Sequence, residues 1–119
     1  MKTVRAFNET KKTPVAENVR VADGIWSRFL GLMGRRELAE DGGLLLAPCS
    51  SVHTVFMRFP IDVVFLDRDD GVVKIVRAMK PYRTALGGGG KKALELPAGT
   101  AGRLGLEPGD QLRFTAAQA

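Results

Sequence analysis

The stretch 52–67 reads VHTVFMRFPIDVVFLD and carries the strongest β signal in the chain. β-Branched and aromatic residues lie on both sides of Phe59-Pro60, which is typical of two strands that meet at a turn. In the second strand, 61–66, both alternating sets of side chains are apolar except for Asp62. A strand with two apolar faces is covered on both sides, so we predict that it lies inside the domain and that Asp62 is at least partly buried.

The flanking sequence predicts further short strands. Asp69-Asp70-Gly71 is a strong turn signal, and it predicts an antiparallel meander made of 52–57, 61–66 and 72–79. Apolar residues recur at helical spacing from Ile25 to Met33, which predicts a short amphipathic helix that begins near Gly24. The tetraglycine 87–90 predicts a flexible loop. Further strands are predicted at 3–7, 16–21, 93–96 and 111–115, a short buried run at 44–46, and a helical turn at 99–104.

These elements favour a mainly β fold. Many short strands with frequent turns and one clear helix predict a small β-sandwich or jelly-roll-like barrel with one short amphipathic helix packed on it. An α+β layout of ferredoxin type is the alternative. The chain contains no internal repeat or long linker, so we expect 1–119 to form a single domain in which 115–119 fray.

Composition excludes several classes of protein. The chain has 119 residues, of which 45% are hydrophobic and 26% charged, as in ordinary globular domains. No apolar run approaches the ~20 residues of a membrane helix. The N-terminus shows no apolar signal segment, so a cytoplasmic location is expected. Cys49 and His53 are the only cysteine and histidine, which excludes an internal disulfide and the usual zinc sites within one chain. We therefore expect no metal and no cofactor.

Three blocks of the chain together resemble a known family. They are RFLGLMGR at 28–35, the stretch 52–67, and LELPAG at 94–99. In order and spacing they are similar to the bacterial and archaeal proteins of domain-of-unknown-function family 192 (DUF192), over residues from about 14 to 114. The resemblance implies a compact β-sandwich of jelly-roll type and no established activity. Many relatives have a Phe-Trp-Met-Lys-Asn-Thr version of the middle block, which this chain lacks, and relatives are often exported behind a signal peptide.

Asp62 has two interpretations. A buried carboxylate needs hydrogen bonds or a positive partner to remain charged, and Arg58 and His53 are nearest in the sequence. In the structural interpretation, Asp62 holds the Phe59-Pro60 turn by accepting hydrogen bonds from backbone N–H groups. In the functional interpretation, it contacts a ligand.

Cys49, His53 and Met57 are spaced four residues apart and offer donor atoms that attract copper. Residues four apart in a strand are ~13 Å apart, too far to share one ion, so the spacing disfavours copper. The same distance disfavours Cys49 as a nucleophile with His53 as its base, because that pair needs contact at ~3 Å. A cysteine after Pro48 is more typical of a small loop residue.

Between Gly71 and Leu94 the chain has no acidic residue and six basic ones. A glycine-rich loop flanked by cations can bind an anion through backbone N–H groups, which makes Lys80, Arg83, Lys91 and Lys92 candidate anion ligands. The loop matches no phosphate-binding motif, and only Tyr82 offers a stacking ring, so the pattern disfavours nucleic acid. A solvated basic loop is the alternative.

The sequence therefore leaves three hypotheses of function. The first is a non-enzymatic module that binds a small molecule or a protein partner, with no membrane role. The second is a hydrolase or transferase that uses Cys49 with His53, or the carboxylates of Asp62 and Glu95. The third is anion or nucleic-acid binding through 80–92. The candidate ligand contacts are His53, Arg58, Asp62, Glu95 and Cys49.

Overall fold

The computed structural model describes residues 2–22, 38–54 and 58–117. Within these ranges the chain forms nine strands and one short helix, which confirms the mainly β fold. The amphipathic helix predicted to begin near Gly24 lies outside the described residues, as do residues 55–57. The elements are β1 (Lys2–Asn8), β2 (Thr13–Ala22), β3 (Gly42–Leu46), β4 (Ser51–His53), β5 (Ile61–Leu66), β6 (Val72–Met79), β7 (Thr84–Leu86), β8 (Lys92–Pro97), α1 (Thr100–Arg103) and β9 (Leu112–Ala116).

Seven strands form one mixed sheet, in the order β6-β5-β8-β3-β2-β1-β9. Neighbouring strands are antiparallel except for β2 and β3, which are parallel. Strands β4 and β7 pair with each other in a separate antiparallel unit, the β4–β7 ribbon. The edge strands β6 and β9 approach each other at the isolated bridge between Gly71 and Gln111. The sheet is not closed into a barrel.

Strand β5 is buried along its whole length, which confirms the prediction that it is covered on both sides. Val64 and Leu66 join one apolar cluster, and we call their side of the seven-stranded sheet the first face. Ile61, Val63 and Phe65 join a second cluster on the opposite side, the second face. Two cores therefore lie on the two sides of one strand, as its double apolar pattern requires.

Different elements cover the two faces. The first face is covered by α1 and the loop that follows it, through Ala101 and Leu106. The second face is covered in part by the β4–β7 ribbon, through Val52 and Ala85. Because a sheet must bury its apolar face against another layer, the ribbon completes a sandwich over this part of the sheet.

The predicted meander is correct for β5 and β6 and wrong for β4. Strands β5 and β6 form the hairpin expected around Asp69-Asp70-Gly71, whereas β4 pairs with β7. Strand β7 has three residues and was not predicted, because so short a run has no clear periodicity. The predicted helical turn at 99–104 is confirmed as α1.

The C-terminal strand β9 runs to Ala116, two residues into the segment expected to fray. Its last residues are held because Thr115 and Ala116 pair with Arg5 and Val4 of β1. In the described part of the chain, no helix has both the length and the hydropathy needed to cross a membrane.

Candidate functional site

Asp62 is fully buried, and both oxygens of its carboxylate accept hydrogen bonds from backbone amides. Oδ1 accepts from the N–H of Ala78 and Oδ2 from the N–H of Ala101, both at 2.8 Å. Ala78 has a φ of 48° and lies where the register between β5 and β6 is interrupted, as in a β-bulge. Ala101 lies in the first turn of α1, where amides lack helical acceptors. One carboxylate thus joins β5, β6 and α1.

The amides that bind Asp62 are not those of the Phe59-Pro60 turn, so the predicted turn anchor is wrong in its partners. Arg58 and His53, the cations nearest in sequence, are exposed. Neither takes part in an ion pair between described residues. The partners of the Asp62 carboxyl group among the described residues are therefore backbone N–H groups rather than a cation.

Glu95 lies at the centre of the second face. It is paired with Val63 of β5 and with Leu44 of β3, and the row continues to Val76 of β6 and Arg20 of β2. Directly paired residues share a face of the sheet, so the carboxyl group is flanked by two aliphatic side chains. Arg20 is two strands away from Glu95, about 10 Å by the usual strand spacing. The residues next to Glu95 in this row are apolar, so none of them places a cation close to its carboxyl group.

The carboxyl group of Glu95 is buried with one of its oxygens unpaired. The residue is 5% exposed, and its Oε2 has no hydrogen-bond partner within the described ranges. Burial raises the pKa of Glu95 to about 7, because an ionised carboxylate loses its hydration there. Near neutral pH the group is thus present both as the acid and as the carboxylate, and it can donate or accept a hydrogen bond.

The seven-stranded sheet separates Asp62 from Glu95. Asp62 is paired with Leu96, a residue of the first-face cluster, whereas Glu95 is paired with Val63 of the second. Side chains on opposite faces cannot act together on one substrate. The hypothesis of a hydrolase with these two carboxylates as acid and base therefore lacks the required geometry.

Cys49 precedes the β4–β7 ribbon, and His53 ends its first strand. Cys49 is partly buried, its Sγ lies 3.0 Å from the carbonyl oxygen of Ser51, and its N–H bonds to the carbonyl of Lys91. His53 is exposed. Met57, the third member of the copper set, lies outside the described residues. Among the residues described, no three His, Cys, Asp or Glu side chains are grouped as metal ligands.

The candidate anion ligands differ in their exposure and in their ion pairing. Lys80, Arg83 and Lys91 are exposed, whereas Lys92 pairs with Asp70 at 2.8 Å. The tetraglycine segment 87–90 forms a turn closed by a backbone hydrogen bond from Gly90 to Gly87, and both of these glycines are buried. The predicted flexible loop is in fact a packed turn.

An open groove with a volume of about 420 Å³ lies between β2 and the end of α1. Glu17 on its wall pairs with Arg5 at 2.6 Å, and Asp41 accepts a hydrogen bond from Asn18 at 2.8 Å. Two of its three acids are thus already engaged by protein side chains. The groove is lined by Pro14, Val15, Ala16, Glu17, Glu40, Asp41, Arg103 and Leu104, none of which was a sequence candidate.

The geometry can now be set beside known proteins. The family model of DUF192, described as "Uncharacterized ACR", matches residues 6–114. The chain belongs to the DUF192 family. A UPF0127 protein of Pyrococcus furiosus is 37% identical over 112 residues, a match that covers 91% of this chain and 96% of the relative. A UPF0127 protein of Thermococcus sibiricus is 34% identical over 112 residues, covering 89% and 71%.

Two solved structures are similar to this chain over most of their length. The crystal structure of a protein from Sinorhizobium meliloti, proposed to be a transcription regulator, has a TM-score of 0.83 at 28% identity and covers 95% of this chain and 92% of that one. A protein of unknown function from Novosphingobium aromaticivorans has a TM-score of 0.78 at 25% identity, covering 93% and 83%. The resemblance inferred from the three sequence blocks is therefore confirmed.

Two residues that shape the surface were missed by the sequence analysis. Thr54 is fully buried and organises the chain before β7, and Leu86 is a large exposed apolar side chain at the end of β7. Thr54 lies among residues typical of a strand, and no sequence pattern indicates that its hydroxyl forms hydrogen bonds with the backbone of Lys80 and Arg83. The alternation of Thr84-Ala85-Leu86 was a signal for a strand that faces outward at Leu86, but it is only three residues long.

Proposed function

We propose that this DUF192 chain is a binding module for a small molecule, which it recognises through Glu95 on the second face of the sheet. The observation that carries the proposal is the unpaired Oε2 of Glu95 among aliphatic neighbours. Leaving a buried polar group without a partner costs about 1–3 kcal/mol, and more for a charged group. A ligand that supplies the missing hydrogen bond recovers this free energy.

The surroundings of Glu95 define the ligand chemistry. Val63 and Leu44 flank the carboxyl group, so the ligand presents an aliphatic body and one hydrogen-bond donor at its end. A primary amine is the best match, because its ammonium group forms a charge-assisted hydrogen bond with the carboxylate. An alcohol or amide N–H offers a weaker bond.

Binding is favoured over catalysis because Asp62, the other candidate carboxylate, is not available beside Glu95. Both oxygens of Asp62 are bonded to backbone amides, and its side chain lies on the other face. Glu95 therefore has no second described carboxylate beside it in its row. A single carboxyl group with one free oxygen is suited to orienting a donor on a ligand.

Alkylamine binding tests the proposal. n-Hexylamine is expected to raise the Tm of the wild type, whereas hexanoate, which has the opposite charge, is not. Glu95→Gln keeps the side-chain shape but loses the charge, so it is expected to lose most of the rise. The amine effect should also be larger at about pH 8 than at about pH 6, because a carboxyl group with a pKa of about 7 is mainly ionised at the higher pH.

Glu40→Gln provides the matched control, since Glu40 is an exposed carboxylate in the groove beside β2. This variant is expected to respond to hexylamine as the wild type does. The proposal is wrong if Glu95→Gln keeps the full response, or if neither hexylamine nor hexanol stabilises the wild type. Loss of the response in Glu40→Gln alone would assign amine binding to the groove instead.

A further inference from the structure

The β4–β7 ribbon has an inner and an outer face. Val52 and Ala85 point inward to the second core. The flanking pairs, Ser51 with Leu86 and His53 with Thr84, are exposed. Because side chains alternate along a strand, these four form one continuous outer surface.

The exposed large apolar side chains of the described residues are both at this ribbon. Tyr82 is 65% exposed and Leu86 is 69% exposed. They flank the strand β7, with Arg83 between them. A single exposed leucine is ordinary on a protein surface, but here a tyrosine and a leucine lie on one short segment with a cation between them, and we call this surface the patch. Tyr and Arg are enriched in protein interfaces and among their energetic hot spots.

Buried hydrogen bonds hold this patch in place. The hydroxyl of Thr54 donates to the carbonyl of Lys80 at 2.6 Å and accepts from the N–H of Arg83 at 2.9 Å. The N–H of Tyr82 bonds to the carbonyl of Thr54 at 3.0 Å. Tyr82 adopts a φ of 62°, which the surrounding bonds maintain. The backbone that carries the patch is therefore fixed before any partner binds, which lowers the entropic cost of binding.

The segment that contains β7 carries charged side chains of one sign only. Lys80, Arg83 and Lys91 are exposed, and none of them forms an ion pair with a described carboxylate. The sequence between Gly71 and Leu94 has no acidic residue. By contrast, Arg5, Lys11 and Arg113, which lie in or near β1 and β9, pair with neighbouring acids. The ribbon thus carries exposed cations without an ion-pair partner among the described carboxylates, and an anionic partner complements them.

We propose that the outer face of the β4–β7 ribbon, with Tyr82, Arg83 and Leu86 at its centre, docks an acidic protein segment that carries apolar side chains. Leu86 and Tyr82 contact the apolar side chains, and Arg83 with Lys80 and Lys91 pairs with the carboxylates around them. A protein segment is favoured over nucleic acid because Tyr82 is the one Phe, Tyr or Trp ring at the centre of the surface, whereas single-stranded nucleic acid stacks successive bases on several rings. The surface is independent of the Glu95 site, which lies inside the fold.

Two fluorescent peptides test the inference by anisotropy: one alternates Glu with Leu, and one of equal length contains only Glu. The Glu-Leu peptide is expected to bind the wild type about tenfold or more tightly than the Glu-only peptide, because only it fills the apolar patch. Arg83→Glu and Leu86→Ser should each weaken its binding by about tenfold or more. Arg103→Glu, at an exposed arginine in α1 away from the ribbon, is the matched control and should bind as the wild type does.

Three results would overturn the inference. One is equal binding of the Glu-Leu peptide by the wild type, Arg83→Glu and Leu86→Ser. Another is absence of peptide binding by the wild type at low salt, where exposed charges interact most strongly. The third is displacement of the peptide by a single-stranded oligonucleotide that binds more tightly, which would assign the surface to nucleic acid. Both ribbon substitutions are at exposed positions, so matching circular dichroism spectra and Tm values separate lost binding from lost folding.

Discussion

Replacing Glu95 by glutamine is expected to change how the stability of the protein depends on pH. In the folded chain, burial raises the pKa of this carboxyl group from 4.5 to about 7, whereas in the unfolded chain it is hydrated and titrates normally. A pKa difference of this size corresponds to about 3 kcal/mol. Glutamine keeps nearly the same volume and polarity but cannot ionise, so it represents the protonated form at every pH.

The sign follows from which state binds the proton more tightly. Below about pH 4.5 both states of the wild type are protonated, and the carboxyl group adds no pH-linked penalty. Between pH 4.5 and about 7 the unfolded chain ionises first, so the wild type loses stability as the pH rises. Above about pH 7 the penalty is complete. The stability of Glu95→Gln relative to the wild type should therefore increase by about 3 kcal/mol from acidic to slightly alkaline pH.

Urea unfolding followed by circular dichroism measures this difference at several pH values. For an m-value of about 1–3 kcal/mol/M, the midpoints of the two proteins should move apart by about 1–3 M urea over that pH range. Other titrating groups are common to both proteins and cancel in the comparison. If the difference between the two proteins does not change with pH, Glu95 has an ordinary pKa. The burial argument, and with it the proposed recognition of a donor, would then be refuted.

Two further predictions concern the fold itself. Asp62→Ala should lower the free energy of unfolding by about 2–5 kcal/mol in urea, because it removes the acceptor of the buried Ala101 amide and of the partly buried Ala78 amide. Asp69→Ala, at an exposed aspartate, should change the free energy of unfolding by less than about 0.5 kcal/mol. If Asp62→Ala and Asp69→Ala change it equally, the anchoring role of Asp62 is contradicted. Gly87→Ala should destabilise by about 1–3 kcal/mol, since its Cβ would lie 2.7 Å from a backbone oxygen and 2.9 Å from an aromatic ring. Gly102→Ala is the comparison, because a Cβ at this position of α1 would lie 3.7 Å from its nearest neighbouring atom. It should stabilise the protein by up to about 1 kcal/mol. A higher Tm for Gly87→Ala than for Gly102→Ala would refute the packing argument.

Local sequence patterns predicted much of the fold. The double apolar alternation of 61–66 predicted a strand buried on both faces, and β5 is buried throughout. The Asp69-Asp70-Gly71 turn predicted the hairpin of β5 and β6. Alternation along 94–96 likewise places Glu95 on the face opposite its two leucine neighbours, and both leucines lie in the first-face cluster. Each of these follows from side-chain alternation or turn chemistry within a few residues.

The candidate sites were decided by contacts between distant parts of the chain. Asp62 binds amides 16 and 39 residues further along the chain, and no local pattern identifies those partners. The order of strands places Asp62 and Glu95 on opposite faces of one sheet, and the pairing of β4 with β7 creates the ribbon. The sequence by itself determined the longer strands and which of their side chains alternate, because those properties are local, whereas the three-residue β7 was too short to show a pattern. Only the tertiary structure decided which strands pair, because pairing depends on how all the apolar segments are buried together.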